Sequence, residues 1–440
     1  MLKERILSII KNSTIKNILW LLFDKVFKLV IGLVVGVWVA RYLGPGELGK
    51  MNYIAAYIGI LTTIASLGMD QFLVKEILAR PLEKSQLLGT ALIFRIISVI
   101  ILSLGLLGVF YMMHVDREYY LLYFVLLFTF IPTPFDLIDV EYQSRLQSRR
   151  TVIAKNSAYF VGAILKVVFI LLHKPLLYFA AVVGAESLLA FLILILQYQI
   201  GSDGLQTWKF NLDLGGELLK KGWPFILSSI AIILYMRIDQ VMLGNLLNST
   251  AVGEFSAAVK ITEIFIVIPI AVSSSYYSTL MNSINNNDFA GYRRKMQVLF
   301  NWMFLISFVI ACGVTLCSDL IVHVLYGQQY VETAGIMRIH AWTIVTLFWG
   351  VVSSQYLVIE NLQNYSLYRS VIGLVLNVGL NLILIPYMGA YGSAVATLIS
   401  QLVSAVFGNL LFKPTRVIFK YQVNSVLNLI LLRRKEYQYT

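Results

Sequence analysis

The sequence predicts an all-α polytopic membrane protein with about twelve transmembrane helices in two six-helix lobes. Three observations carry this. Hydrophobic residues make up 58% of the 440 and charged residues only 13%, with a mean hydropathy of +0.77, a composition outside the soluble globular range. Long apolar runs recur about every thirty residues, the length a helix needs to cross hydrocarbon. Basic residues alternate strongly from one inter-span loop to the next. The runs lack the two-residue alternation of a membrane barrel.

Taken in order, residues 1–17 carry Lys3, Arg5, Lys11 and Lys16 beside Leu2, Ile6, Ile9 and Ile10, the pattern of a short interfacial helix. Spans are expected at about 18–40, 52–72, 87–110, 119–141, 152–172, 176–199, 222–244, 254–280, 297–317, 335–358, 366–386 and 391–412. The first span is long and no small-residue cleavage site follows it, so it is expected to stay as an anchor. Pro132 and Pro134 fall in the fourth span, Pro224 in the seventh and Pro269 in the eighth. Each should bend or break its helix locally. Val423–Leu432 is too short to span and ends in Arg433, Arg434 and Lys435, which suggests a helix lying on the membrane surface.

The loops set orientation. One side holds clusters at Lys75, Arg80 and Lys84, at Arg145, Arg149 and Arg150, at Lys209, Lys220 and Lys221, and at Arg293, Arg294 and Lys295, with both chain ends. The other holds Arg41, Lys50, Arg117 and Lys174. Both termini are therefore expected in the cytoplasm, with an even number of spans. The net charge of +12 serves orientation, and nucleic acid is not expected as a partner. Cys312 and Cys317 lie in one apolar span and read as packing residues. The four histidines lack metal-ligand spacing.

The halves echo each other. Arg41–Ala56 and Leu243–Ala258 each carry a Gly-containing turn, then a helix opening with small residues. Gly49 and Gly253 correspond at close to half the chain. The expected organisation is an interfacial segment (1–17), an N-lobe (18–200), a glycine-bearing cytoplasmic linker (201–221), a C-lobe (222–412) and a basic tail (413–440). Two such lobes with a site between them are a recurrent transporter plan.

Charges inside the spans are the candidate functional residues. They are Asp24, Lys25, Lys28, Arg95, Asp136, Asp139, Lys166 and Glu186 in the first half, and Arg237, Asp239, Lys260 and Glu263 in the second. Exposing half of them to lipid would cost on the order of 15–20 kcal/mol, so they pair or face water. Asp24 and Lys28 share a helix face, as do Lys260 and Glu263. Lys25, Asp139 and Lys166 can also snorkel toward an interface. Arg237 and Asp239 are two apart and need partners on other helices. Lys28, Arg95, Arg237 and Lys260 are the cations suited to an anionic head group. Asp24, Glu186, Asp239 and Glu263 are candidate cavity or ion-coupling carboxylates. Asn377, Asn381, Gln355 and Gln401 add polar lining. No P-loop, HExxH, GxSxG or acidic metal motif is present, so no catalytic residues, metal or cofactor are expected, apart from coupling by H⁺ or Na⁺.

The stretches ARYLGPGELG (Ala40–Gly49), SLGMDQFL (Ser66–Leu73), RIDQVMLG (Arg237–Gly244) and VGEFSAAVKITE (Val252–Glu263) resemble those of the polysaccharide-export flippases. These are the O-antigen and capsule repeat-unit flippases of the multidrug/oligosaccharidyl-lipid/polysaccharide exporter superfamily. The resemblance implies two six-helix lobes around a central cavity. It also implies a substrate, an undecaprenyl-diphosphate-linked oligosaccharide, turned from the cytoplasmic to the periplasmic leaflet of a bacterial inner membrane by ion-coupled alternating access. Of the cavity residues, Arg237, Asp239, Lys260 and Glu263 fall in matching motifs, whereas Lys28 and Arg95 are chosen on composition and position. Membrane lipids, a glycan polymerase and chain-length machinery are the expected partners, around a monomer. Two alternatives stand beside this reading: a cation-coupled multidrug exporter of the same superfamily, and a membrane glycan polymerase or acyltransferase.

Overall fold

The computed structural model describes residues 13–201 and 204–430. The segment 1–12 and the basic end Arg433–Lys435 lie outside the described residues, so the expected interfacial helix enters the structure only from Ser13, already part of a long helix. Every regular element among the described residues is helical.

Among the described residues ten helical stretches are long and apolar enough to cross a membrane. Two are too long for one crossing. Ser13–Ala65 has 53 residues, which as a straight helix would run roughly 80 Å against a hydrocarbon core of about 30 Å. It breaks at Gly44 (φ 76°, ψ 169°), immediately before Pro45. The stretch Asn364–Leu411 breaks likewise at Gly389 (φ 60°, ψ −140°), three residues after Pro386. A positive φ is open to glycine at no steric cost, and proline cannot supply the helical N–H. Each stretch therefore holds two crossings, which makes twelve.

The prolines act unequally. In the fourth span the helix Arg117–Leu126 gives way to 3₁₀ turns at Leu127–Thr129 and Thr133–Asp136 before Leu137–Ser144. Thr129 and Thr133 donate to the carbonyls of Leu126 and Phe130, each at 2.7 Å, giving partners to backbone that the broken ladder releases. In the eighth span a 3₁₀ turn at Ile264–Ile266 precedes Pro269. Pro224 stays inside an unbroken helix, Leu212–Leu246.

The chain divides into two compact units. One comprises the residues up to Leu43 and Lys50–Ile233; the other comprises Gly44–Gly49 and the residues from Leu234 onward. The division runs through the helix Leu212–Leu246, after Ile233. In the first unit the segment after Gly204 is fastened down. Lys209 N–H donates to the Ser85 carbonyl at 3.0 Å, Asn211 N–H to Thr90 Oγ1 at 2.9 Å, and Trp208 Nε1 to the Tyr198 hydroxyl at 2.9 Å. Gly89 leaves room for the Lys209 backbone. Beside this, Arg80 bridges to Glu217 (3.0 Å) and Lys221 to Glu76 (3.0 Å). Glu141, wholly buried, accepts from Lys84 (2.9 Å), Arg145 and Tyr198.

In the second unit the helix Arg416–Ile430 packs on Phe289–Leu325. The Phe300 and Tyr421 rings stack at 5.5 Å, and Gln297 Nε2 donates to the Tyr421 carbonyl at 3.0 Å. Gln422 is fully buried and donates to the Ala405 carbonyl at 2.8 Å, inside the π-helical turn Val403–Phe407. The surface helix expected near Val423–Leu432 thus starts earlier and buries one face in protein. The repeat glycines also meet here. A Cβ on Gly49 would strike the Ser249 carbonyl, and one on Gly253 would strike the Pro45 carbonyl. The correspondence read in sequence is a backbone-to-backbone contact that only hydrogen side chains allow.

Gly49→Val should lower stability by about 1–3 kcal/mol through overpacking. A Gly59→Ala control, which meets nothing within 4 Å, should unfold at or slightly above the parent temperature, as alanine favours helix. Thermal unfolding in detergent checks both.

Candidate functional site

In the first unit, the carboxylates Asp24, Asp70, Asp136, Asp139 and Glu186 are also matched by cations. Asp24 and Lys28 pair at 2.7 Å within one helix, as their spacing predicts. Arg95 donates to Asp70 at 2.7 Å. Lys155 sits between Asp136 (2.9 Å) and Asp139 (3.6 Å). Lys166 holds Glu186 at 2.6 Å. Of these, Asp70 and Lys155 were not singled out by sequence reasoning. Asp70 follows the second span, inside the SLGMDQFL stretch, and its role depends on a residue one span away.

These pairs border two cavities. One, of about 340 Å³, is lined by Lys28, Lys155, Tyr159 and Glu186 among others. The second, of about 260 Å³, is lined by Arg95, Asp70 and several hydroxyl side chains. Thr133 and Asp136 line both; they belong to the 3₁₀ turn that the prolines create. The broken fourth span is what opens polar backbone and side chains to these spaces. Three of the four first-half candidates, Lys28, Arg95 and Glu186, line a cavity, and Asp24 reaches one through Lys28.

The second unit treats its charges differently. Asp239 is 4% exposed and accepts from Asn381 Nδ2 at 2.5 Å and Thr397 Oγ1 at 2.8 Å. Asn377 Oδ1 accepts from the same Asn381 amide at 3.0 Å. Among the described residues its donors are all neutral. Asn381 Oδ1 and Ser393 Oγ are buried without a hydrogen-bond partner. The partners of Asp239 therefore come from the eleventh and twelfth spans. Thr397 and Ser393 were missed by sequence reasoning, because small hydroxyl residues are common in membrane helices and carry little signal alone. Arg237 is half-buried, its charge acts on Glu263, and Lys260 is exposed. Of the remaining polar candidates, Gln401 accepts from Thr346 at 2.7 Å and Gln355 donates to the Ser273 carbonyl at 2.8 Å.

The family model described as "Polysaccharide biosynthesis protein" matches residues 14–277, more than half of the chain. The chain belongs to this family. A second family model, MatE, matches residues 224–383. Among curated relatives, the probable low-salt glycan biosynthesis flippase Agl15 of Haloferax volcanii is 24% identical over 377 residues, covering 83% of this chain and 76% of that one. Among solved structures, an inward-facing multidrug resistance MATE transporter superposes with a TM-score of 0.70 at 17% identity, covering 93% of this chain and 96% of that one. The lipid II flippase MurJ, in an inward closed conformation, also gives 0.70, at 15% identity over 96% of this chain and 94% of its own. These likenesses show the fold, and with the family match and the apolar helices they make the chain a multi-pass membrane protein of the polysaccharide biosynthesis family.

Removing one partner of the well-buried Lys166–Glu186 pair strands the other charge. Lys166→Met should destabilise this family member by about 3–5 kcal/mol. The double variant Lys166→Met, Glu186→Gln should recover most of that loss. A double-mutant cycle on unfolding midpoints measures the difference.

Proposed function

We propose that this flippase turns undecaprenyl-diphosphate-linked oligosaccharide repeat units from the cytoplasmic to the periplasmic leaflet of a bacterial inner membrane by ion-coupled alternating access. Both termini lie in the cytoplasm, and the delivered unit serves a glycan polymerase with its chain-length machinery. The match of the polysaccharide biosynthesis family over residues 14–277 carries the reading, and the printed role of the archaeal relative in glycan biosynthesis supports it. The substrate's diphosphate needs cations inside the membrane. Arg237 and Lys260 are assigned to it, because both fall in the stretches Arg237–Gly244 and Val252–Glu263 that resemble the family's. Arginine's planar fork suits phosphate oxygens.

Asp239 is assigned to the coupling ion. Glu186 and Asp24 already hold lysines at short range, so a further cation there competes with a fixed one. Among the described residues Asp239 has only neutral donors, with two unpartnered oxygens beside it, Asn381 Oδ1 and Ser393 Oγ. Such an all-oxygen set fits Na⁺ or H⁺. Asp239 and its neighbours would hold the ion, and the ion would supply a transmembrane gradient to the conformational cycle.

The MatE match over residues 224–383 favours one second reading, a cation-coupled drug exporter. Resistance profiling of a deletion strain separates the two: a broad drug sensitivity with intact surface glycan would replace the flippase reading.

The direct test is flipping of fluorescent lipid-linked oligosaccharide in vesicles containing the purified protein. Wild type should flip it, and Arg237→Ala, Lys260→Ala should slow it about tenfold or more, the value of one or two lost charge-assisted hydrogen bonds. No flipping by wild type would overturn the function; an unslowed double variant would remove only these two residues.

Asp239→Asn should keep passive exchange of substrate but lose its response to an imposed Na⁺ or pH gradient. A gradient-dependent rate that persists in this variant would place coupling elsewhere.

A further inference from the structure

The 260 Å³ cavity of the first unit has a chemistry its charges alone do not describe. Arg95 is 2% exposed; it gives one terminal nitrogen to Asp70, while its Nε–H is buried without an acceptor. Five hydroxyl residues, Ser229 among them, share the wall with it. Thr62, Thr63, Ser66 and Thr133 each donate their proton to a backbone carbonyl one turn earlier, at 2.7–3.1 Å. A hydroxyl whose proton is engaged can still accept through its lone pairs. The wall therefore presents mostly acceptors, including the Asp70 and Asp136 carboxylates, beside the Arg95 guanidinium, whose Nε–H has no acceptor.

That inventory discriminates between ligands. A phosphate offers only acceptors and would meet acceptors and carboxylates. A small cation would meet the fixed charge of Arg95. A polyhydroxyl ring offers several O–H donors and can also accept from guanidinium N–H groups, which is the complement of this wall. The volume has room for a single sugar ring.

We infer that this cavity is a sugar subsite, in which Arg95 and Asp70 together read the hydroxyl pattern of one residue of the glycan. The inference rests on the proposed glycan-flippase function and deepens it, moving Arg95 from diphosphate contact to sugar contact. The cavity lies within one unit and is lined also by Ser229 of the seventh span, so a sugar seated there touches the second, third, fourth and seventh spans at once.

The test uses the full-length protein in phospholipid nanodiscs, which contain no sugar-headed detergent. Saturation-transfer NMR is recorded with glucose, galactose, N-acetylglucosamine and glucuronate, each with and without pyrophosphate. At least one sugar should receive saturation from the wild-type protein. Pyrophosphate should not displace it. The signal should vanish in Arg95→Gln, Asp70→Asn, a pair of changes that keeps net charge. Ser229→Val, which narrows the cavity from the opposite wall, should also reduce it and stands in if the double variant fails to fold. Absence of signal from every sugar, displacement by pyrophosphate, or a signal unchanged in the variants would each overturn the subsite. Flipping of lipid-linked glycan by wild type in vesicles is scored separately, so a lost subsite with intact flipping is told apart from failure of the flippase reading itself.

Discussion

Ionised groups are expensive in hydrocarbon, roughly 3 kcal/mol each on insertion scales, and the two units meet that constraint in opposite ways. The first pairs its charges: Asp24 with Lys28, Asp70 with Arg95, Asp136 and Asp139 with Lys155, Glu186 with Lys166. The second, among the described residues, gives Asp239 no cation and wraps it in amides and hydroxyls. A paired set is close to neutral and makes each partner costly to remove. A lone carboxylate in a neutral cage is the arrangement that an added cation or proton stabilises most.

The breaks in the helices have the same root. A spanning helix satisfies its backbone internally, so it offers a ligand only side chains. Where Pro132 and Pro134 interrupt the fourth span, the 3₁₀ turn Thr133–Asp136 sets a hydroxyl and a carboxylate side by side at the border of both cavities. The hairpin points at Gly44 and Gly389 use glycine for a different reason, the positive φ that a chain needs to end one crossing and begin the next. Proline shapes the polar interior and glycine shapes the turns.

Much of the fold was legible because its signals are local. Apolar runs gave twelve crossings even where the helix is continuous on paper from Ser13 to Ala65, since the R-Y-L-G-P-G stretch marks the turn. The half-chain echo of Gly49 and Gly253 was legible as pattern, and its meaning, a close backbone approach, became visible only in space. The site was legible in part. Charges in spans announce themselves, and Asp24 with Lys28 could be paired by spacing alone. The partners of Arg95, Glu186 and Asp239 lie 25, 20 and more than a hundred residues away, and sequence spacing carries no information at that range. Lys155 escaped notice because it sits near a span's basic end, where a lysine ordinarily reads as an orientation signal. The terminal helix Arg416–Ile430 was read from its short apolar run as a surface element, whereas its buried polar face, led by Gln422, looks unremarkable without the π-helical turn it supports.

Unsatisfied atoms point the same way as the charges. A buried polar group without a partner costs about 1–3 kcal/mol, so a fold that keeps one beside a charged group holds free energy that a ligand can release. At Arg95 the unpartnered atom is a donor, Nε–H, facing a wall of acceptors. At Asp239 the unpartnered atoms include two oxygens, Asn381 Oδ1 and Ser393 Oγ, beside a carboxylate. The first site is completed by something that donates broadly and accepts from a guanidinium; the second, around a carboxylate, by something that carries positive charge. No single ligand satisfies both descriptions. A transporter that binds a sugar and a coupling ion needs two such unlike sites, and it needs them far enough apart in chemistry that neither ligand competes for the other's place.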